Sequence, residues 1–236
     1  MEWAAVTNKG RRRQTNEDAY LIVPERGLFA VADGLGGHAA GEVASRVALE
    51  TFSAALGLEE GQDLPAALGR AAAAANEAVY RMAQSHPDYG GMGTTLTACV
   101  IQNEELYWVH VGASRGYLLR QEEIIQFTRD HSVFAELFAA GYLDEAEATA
   151  WGYRNVLTRA VGVEPAVEAD TGRLLLAVGD TILLCTDGLT LHLDDPDILK
   201  IATHGAVSEQ TRALVELALE RGGEDNVTVV LVRITA

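Results

Sequence analysis

Leu28-Phe29-Ala30-Val31-Ala32-Asp33-Gly34 is a run of five apolar residues closed by an aspartate and a glycine. Ile182-Leu183-Leu184-Cys185-Thr186-Asp187-Gly188 repeats the plan far downstream. Both runs read as strands bounded by turn residues. An aspartate at the end of such a strand is unfavourable unless its charge is compensated. The glycine beside it lets the backbone approach closely, so that its carbonyl can also act as a ligand. A single Asp-Gly is most simply a turn after a strand. Two of them, with Glu17-Asp18 ahead of Ala19 and Gly222-Gly223-Glu224-Asp225-Asn226 ahead of Val227, shift the reading toward a metal site. An oxygen-only ligand set of this kind suits Mg²⁺ or Mn²⁺. No Cys/His pair has zinc spacing. Spacing alone does not show that these strand ends converge.

Outward from these two runs, further apolar stretches predict strands at Ala4 to Val6, Ala19 to Val23, Thr94 to Ile101, Leu106 to Val111, Gly116 to Leu119, Leu174 to Val178 and Val227 to Ile234. The Leu28 and Ile182 runs become strands Leu28 to Ala32 and Thr181 to Cys185, and Asn103-Glu104 predicts a hairpin turn. Residues 40 to 56 place Ala44, Val47, Ala48, Thr51 and Ala55 at helical spacing. Residues 64 to 84 are rich in alanine, the best helix former. Residues 207 to 220 put Val207, Thr211, Leu214, Val215 and Ala218 on one face, with Gly222-Gly223 as the C-cap. The stretch 131 to 150 reads as two short helices joined near Gly141, with Asp130 in the role of an N-cap. Local strand pairing makes this an α+β chain of antiparallel sheets with helices packed outside.

The chain has 236 residues, 48% of them hydrophobic, and a net charge of −16. It is long enough for a sizeable core and for a single domain spanning 1-236. So acidic a chain disfavours nucleic-acid binding, and Arg11-Arg12-Arg13 is too short a basic run to reverse that. It also repels phosphate, so a phosphate ester substrate requires local sign reversal by bound metals and a placed arginine. Cys99 and Cys185 sit inside apolar runs and read as reduced core residues. With no apolar stretch of membrane-spanning length and no leader, the expectation is a cytoplasmic monomer with no membrane insertion.

Seven segments in order resemble one family. They are Gly10-Arg11-Arg12-Arg13-Gln14-Thr15-Asn16-Glu17-Asp18, Val31 to Ser45, Gly93-Thr94-Thr95, His110-Val111-Gly112-Ala113-Ser114-Arg115, Thr128-Arg129-Asp130-His131-Ser132, Cys185 to Thr190, and Gly223 to Thr228. Each is weak alone. Together, from Gly10 to Val232, they resemble the bacterial type 2C (PPM) metal-dependent serine/threonine protein phosphatases. The resemblance implies an α-β-β-α sandwich of two antiparallel sheets flanked by helices, with a small helical flap insert at about 131-163. It implies hydrolysis of phosphoserine and phosphothreonine in proteins by a water shared between two Mn²⁺ or Mg²⁺ ions.

Carried over by position, Asp33 would bridge the two metals. The Gly34 carbonyl and Glu17 would serve one ion, Asp187 and Asp225 the other. Asp18 would orient the metal-bound water, and Arg13 would bind the phosphate, its planar fork suiting two oxygens. Asn226 would support from behind. The implied partners are phosphorylated Ser/Thr proteins, substrates of a cognate bacterial kinase.

One position departs from the pattern. Where the family carries an aspartate that anchors a third metal, this chain has Ala113, which has no ligand atom. The expectation is an intact two-metal core with the third site weakened. Ala113 is either an introduced substitution or the mark of a feeble phosphatase, and the intact remaining motifs favour the first. The alternative to an enzyme is a catalytically weak metal- and phosphoprotein-binding module. His38 follows Gly36-Gly37 and reads as helix-start packing ahead of a general acid. His110 and His131 read as structural, and Arg115 and Arg159 as structural or flap contacts.

Overall fold

Asp18 stands opposite Asp33 across an antiparallel ladder in the computed structural model. That model describes residues 1–36, 40–58, 61–142 and 156–236. The strands are β1 (Glu2–Asn8), β2 (Asp18–Val23), β3 (Leu28–Leu35), β4 (Gly93–Thr94), β5 (Leu96–Gln102), β6 (Glu105–Val111), β7 (Arg115–Arg120), β8 (Glu123–Gln126), β9 (Asp170–Leu175), β10 (Thr181–Cys185) and β11 (Val227–Arg233). The helices are α1 (Ala40–Ala55), α2 (Leu64–Ser85), α3 (Val133–Ala139), α4 (Asp187–Thr190), α5 (Asp195–Ala202) and α6 (Val207–Glu220). One sheet runs β1-β11-β10-β7-β8; the other runs β2-β3-β5-β6-β9, with β4 paired to β3. All pairings are antiparallel.

The unbroken apolar runs have a physical reason. Phe29 and Val31 point between the sheets, against Ile182, Leu184, Val230 and Val232. Leu28, Ala30 and Ala32 point the other way, into the layer of α1 and α2. Leu183, Cys185, Val229 and Leu231 face α4 and α6 in the same manner. A strand covered on both faces cannot alternate apolar with polar. Burying each large apolar side chain is worth ~1.5–3 kcal/mol relative to exposure. The result is the four-layer sandwich that the resemblance implied. Cys99 and Cys185 are free thiols in different core layers.

Several boundaries differ from the expectation. The hairpin turn holds, with Asn103 and Glu104 at φ 50° and 62°. The strand expected at Leu174 to Val178 instead covers Asp170–Leu175 and alternates, with Leu175 exposed to solvent. The apolar run misled because this is an edge strand with one wet face. The edge strand β8 and the helix α5 were not foreseen; α5 opens with a capping box between Asp194 and Asp197. In the flap insert, α3 is capped by Ser132, whose side chain accepts from the Ala135 N–H. Asp130 is not the cap, because its carboxylate is taken by Arg115. The second helix expected before residue 150, Trp151 and His38 lie outside the described residues.

Candidate active site

The acids of the sequence reading meet because the two sheets end together. Asp33 lies in β3, beside Asp18 on β2. Asp187 opens α4 directly after β10, and Asp225 precedes β11. Since β10 and β11 stack against β3, all four strand ends point to one end of the sandwich. There, Arg13, Glu17, Asp33, Gly34, Ala113, Asp187 and Asp225 line one cavity of about 200 Å³. Leu35, Gly36, Thr95, Leu157 and Asn226 complete its wall. Asp18 lies beneath, buried.

The crowding has an electrostatic signature. Burial pushes the Asp33 carboxyl well above the ordinary range, and the charges of Asp187, Asp18 and Asp225 push it further. Asp187 is raised by burial and by the charge of Asp225. Burial lifts Asp18 to about 7, against two hydroxyl donors that work to lower it. Glu17 is raised chiefly by burial. Like charges so placed require protons or cations between them.

Asp18 shows which. Its Oδ2 accepts from Thr186 Oγ1 at 2.8 Å and Thr228 Oγ1 at 2.7 Å. Its Oδ1 is buried with no hydrogen-bond partner among the described residues. A buried, orphaned carboxylate oxygen beside three other acids fits a hydrated divalent cation. Among the described residues, no three His, Cys, Asp or Glu side chains close into a ready-made cage for a single ion.

Each glycine has a specific task. A Cβ on Gly34 would stand 2.2 Å from the Gly41 carbonyl oxygen, and one on Gly188 only 1.9 Å from that of Asn226. Close backbone packing, not turn conformation, requires glycine after both aspartates. Asn226 ties the loops together: its Oδ1 accepts from the Glu17 N–H at 2.8 Å, and its Nδ2 donates to the carbonyls of Lys9 and Thr15 at 2.9 Å. Arg13 reaches into the site and donates to Asp225 Oδ2 at 2.7 Å.

The threonines were missed. Asn16 donates to Thr7, whose hydroxyl meets Thr228, which in turn donates to Asp18. Thr95 Oγ1 accepts from the Asp33 N–H at 2.9 Å and bonds Ser114 Oγ at 2.6 Å. The available signal was a polar residue inside an apolar run, at Thr186 and Thr228. His110 is a satisfied sheet residue, bonded to Thr97 Oγ1 and the Arg129 carbonyl, as expected. Arg115 and Arg159 pair with Asp130 and Asp170.

The sequence profile described as Protein phosphatase 2C matches residues 7–224. The chain belongs to the protein phosphatase 2C family. This type 2C chain is 40% identical over 234 residues to the serine/threonine protein phosphatase PstP of Mycobacterium tuberculosis, covering 98% of the chain and 44% of that protein. It thus spans less than half of PstP. It is 36% identical to the serine/threonine phosphatase stp of Listeria innocua, covering 96% of the chain and 93% of that protein. A crystal structure of M. tuberculosis PstP/Ppp superposes with a TM-score of 0.93 at 39% identity, covering 100% of this chain and 99% of that one. The PstP catalytic domain in complex with two manganese ions superposes at 0.89 and 38% identity, covering 100% and 98%. The expected sandwich is therefore the fold of this family.

Proposed function

We propose that this chain is a metal-dependent protein phosphatase acting on phosphoserine and phosphothreonine. The observation that carries the reading is the single cavity in which a guanidinium, Arg13, stands among Glu17, Asp33, Asp187 and Asp225. A site so acidic does not bind a phosphate monoester by itself. With divalent cations on the acids it becomes an anion site, and Arg13 supplies the planar donor pair. The two manganese ions of the similar PstP structure support the same metal chemistry here.

In this reading Asp33, the Gly34 carbonyl and Glu17 would hold one ion, and Asp33, Asp187 and Asp225 would hold the other together with water. When bound, the ions supply positive charge and an acidified water for in-line attack at phosphorus. Asp18 Oδ1, left without a partner among the described residues while Thr186 and Thr228 occupy Oδ2, would accept a hydrogen bond from the attacking water and orient it. Arg13 exchanges its bond to Asp225 for the phosphate oxygens. Ala113 faces the same cavity with a methyl group, so a third metal is held weakly. The physiological partners are phosphoproteins made by a Ser/Thr kinase. The chain acts as one catalytic unit from 1 to 236, a cytoplasmic monomer. Its buried thiols suit a reducing interior, and no helix among the described residues is long and apolar enough to cross a membrane.

Ala113 favours a second reading, a weakly catalytic module that binds metal and phosphoprotein. Phosphate release from a phosphothreonine peptide under Mn²⁺, by the parent chain and by Ala113→Asp, separates the two. Slow parent turnover with a faster variant supports the phosphatase. Metal-dependent peptide binding without release by either supports the module.

A further inference from the structure

His131 is buried beside the cavity and takes no part in the chemistry above. Its ring Nδ1 accepts from the Gly112 N–H at 3.2 Å, and its own N–H donates to the Gly112 carbonyl at 2.7 Å. Gly112 is thus held on both its polar groups by one residue. An amide N–H only donates, so Nδ1 carries the lone pair and the ring proton sits on Nε2. Nε2 lies nearer Asp170 Oδ2, at 3.2 Å, than Arg159 Nη1, at 3.4 Å, and Arg159 in turn holds Asp170 at 2.9 Å. Burial favours the neutral ring that this arrangement requires. The ring packs against His110, itself tied to Thr97 and the Arg129 carbonyl.

The same residue anchors the returning strand of the insert. The Thr158 N–H donates to the His131 carbonyl at 2.9 Å, Ser132 bridges Leu157, and the Val133 N–H donates to Val156. Gly112 leads into Ala113, and Thr158 follows Leu157. Ala113 and Leu157 both line the catalytic cavity.

We propose that His131 is a positioning residue that locks these two cavity walls in register, so that the peptide around the phosphorylated residue finds a formed groove. The inference rests on the phosphatase reading of the cavity. The walls it sets carry no reacting group, so their displacement weakens substrate and transition state alike and appears in KM.

The test compares His131→Leu, His131→Asn and Asp170→Asn with the parent on a phosphothreonine peptide under saturating Mn²⁺. Asparagine can place its amide oxygen near the position of Nδ1 and keep the Gly112 bond; leucine cannot. His131→Leu should raise KM about tenfold with kcat within about threefold, and His131→Asn should recover most of that loss. Asp170→Asn, which leaves the ring in place, should give an intermediate KM. A purely structural role would lower the folded fraction, hence apparent kcat, with KM unchanged, and that pattern would overturn the inference. Equal losses in the Asn and Leu variants would overturn it too. Should His131→Leu fail to fold, the KM values of the Asn and Asp170 variants decide alone, and parental values in both refute the clamp. A parent chain that releases no phosphate refutes the functional reading itself, a different outcome from a parent that works and variants that match it.

Discussion

Asp33 and Asp187 line one cavity, although one belongs to β3 and the other to the helical turn after β10, and the charge of Asp187 pushes the Asp33 carboxyl up. Two sheets therefore end on neighbouring acids, whose mutual repulsion a divalent cation would relieve. The fold tolerates this because bulk packing, from Phe29 and Val31 against Leu184 and Val230, holds the strand ends together regardless of their charge. The site is strained electrostatically so that it can be relieved by metal.

Relief of that strain is measurable without any substrate. In EDTA, Asp187→Asn should be more stable than the parent by ~1 kcal/mol, a rise in melting temperature of roughly 2–4 °C for a chain of this size. Mn²⁺ should raise the parent's melting temperature by more than the variant's, which keeps Asp33, Gly34 and Glu17 for one ion only. Mn²⁺-dependent turnover should fall at least ~100-fold, since even groups that only support metal ligands are worth 10–100-fold. Thermal scans with and without Mn²⁺ check the first two; equal melting temperatures of the two proteins in EDTA would refute the crowding argument.

Thr228 supports Asp18 from behind. Thr228→Val keeps the shape of the side chain and removes the 2.7 Å hydrogen bond to Asp18 Oδ2, along with the partner of Thr7. The buried Asp18 Oδ2 is left with Thr186 as its one donor among the described residues, which costs ~1–3 kcal/mol in urea unfolding. Asp18 then loses its fixed orientation, and the Mn²⁺ concentration for half-maximal activity should rise ~10–100-fold. An unchanged metal requirement would place Thr228 outside the site's support.

The acids of this site were legible in the sequence, and the hydroxyls that orient them were not. Asp33 and Asp187 announced themselves by ending apolar runs, a local pattern. Thr186 and Thr228 matter only because β10 and β11 are neighbours, with the Thr186 N–H bonded to the Thr228 carbonyl, and because β2 brings Asp18 over both. That is a relation among three strands distant in sequence. The same limit explains β8 and α5. Glu123-Ile124-Ile125-Gln126 is short, and its strand state comes from pairing with β7. Asp194-Asp195-Pro196-Asp197 carried a helix start that was there to be read from its caps. The glycines were recognised correctly but for an incomplete reason. Gly188 is needed because the Asn226 backbone occupies the place of a Cβ, so Gly188→Ala should destabilise by roughly 1–3 kcal/mol or more in denaturant titration.

A pH-dependent element lies away from the cavity. Asp180 accepts from Arg120 at 2.9 and 2.7 Å and from the Ala177 N–H at 2.7 Å. Burial alone would raise its carboxyl, but these hydrogen bonds outweigh burial and hold it below the ordinary 3.8. The folded state then binds fewer protons there than the unfolded chain, so this stabilisation is present above 3.8 and is lost as pH falls through the folded value. Asp180→Asn should cost ~1 kcal/mol at pH 7, with Arg120 partly exposed, and the gap to the parent should narrow as pH falls below 3.8. Urea midpoints at neutral pH and along a series below 3.8 check this; a gap that stays constant through the series would assign the effect to packing.

Ala113 gives the last prediction, because its methyl faces both Asp187 and Asp225 across the cavity. Ala113→Asp adds one more carboxylate to a cluster in which burial already raises the carboxyls of Asp18, Asp33 and Asp187. In EDTA the variant should lose ~1 kcal/mol, a drop in melting temperature of roughly 2–4 °C. In Mn²⁺ the added oxygens become ligands rather than repelling charges, so the loss should vanish and turnover of a phosphothreonine peptide should rise at least ~10-fold. The two effects have opposite signs and one cause. A variant destabilised in EDTA, not rescued by Mn²⁺ and no faster than the parent would show that position 113 does not reach the metal site at all.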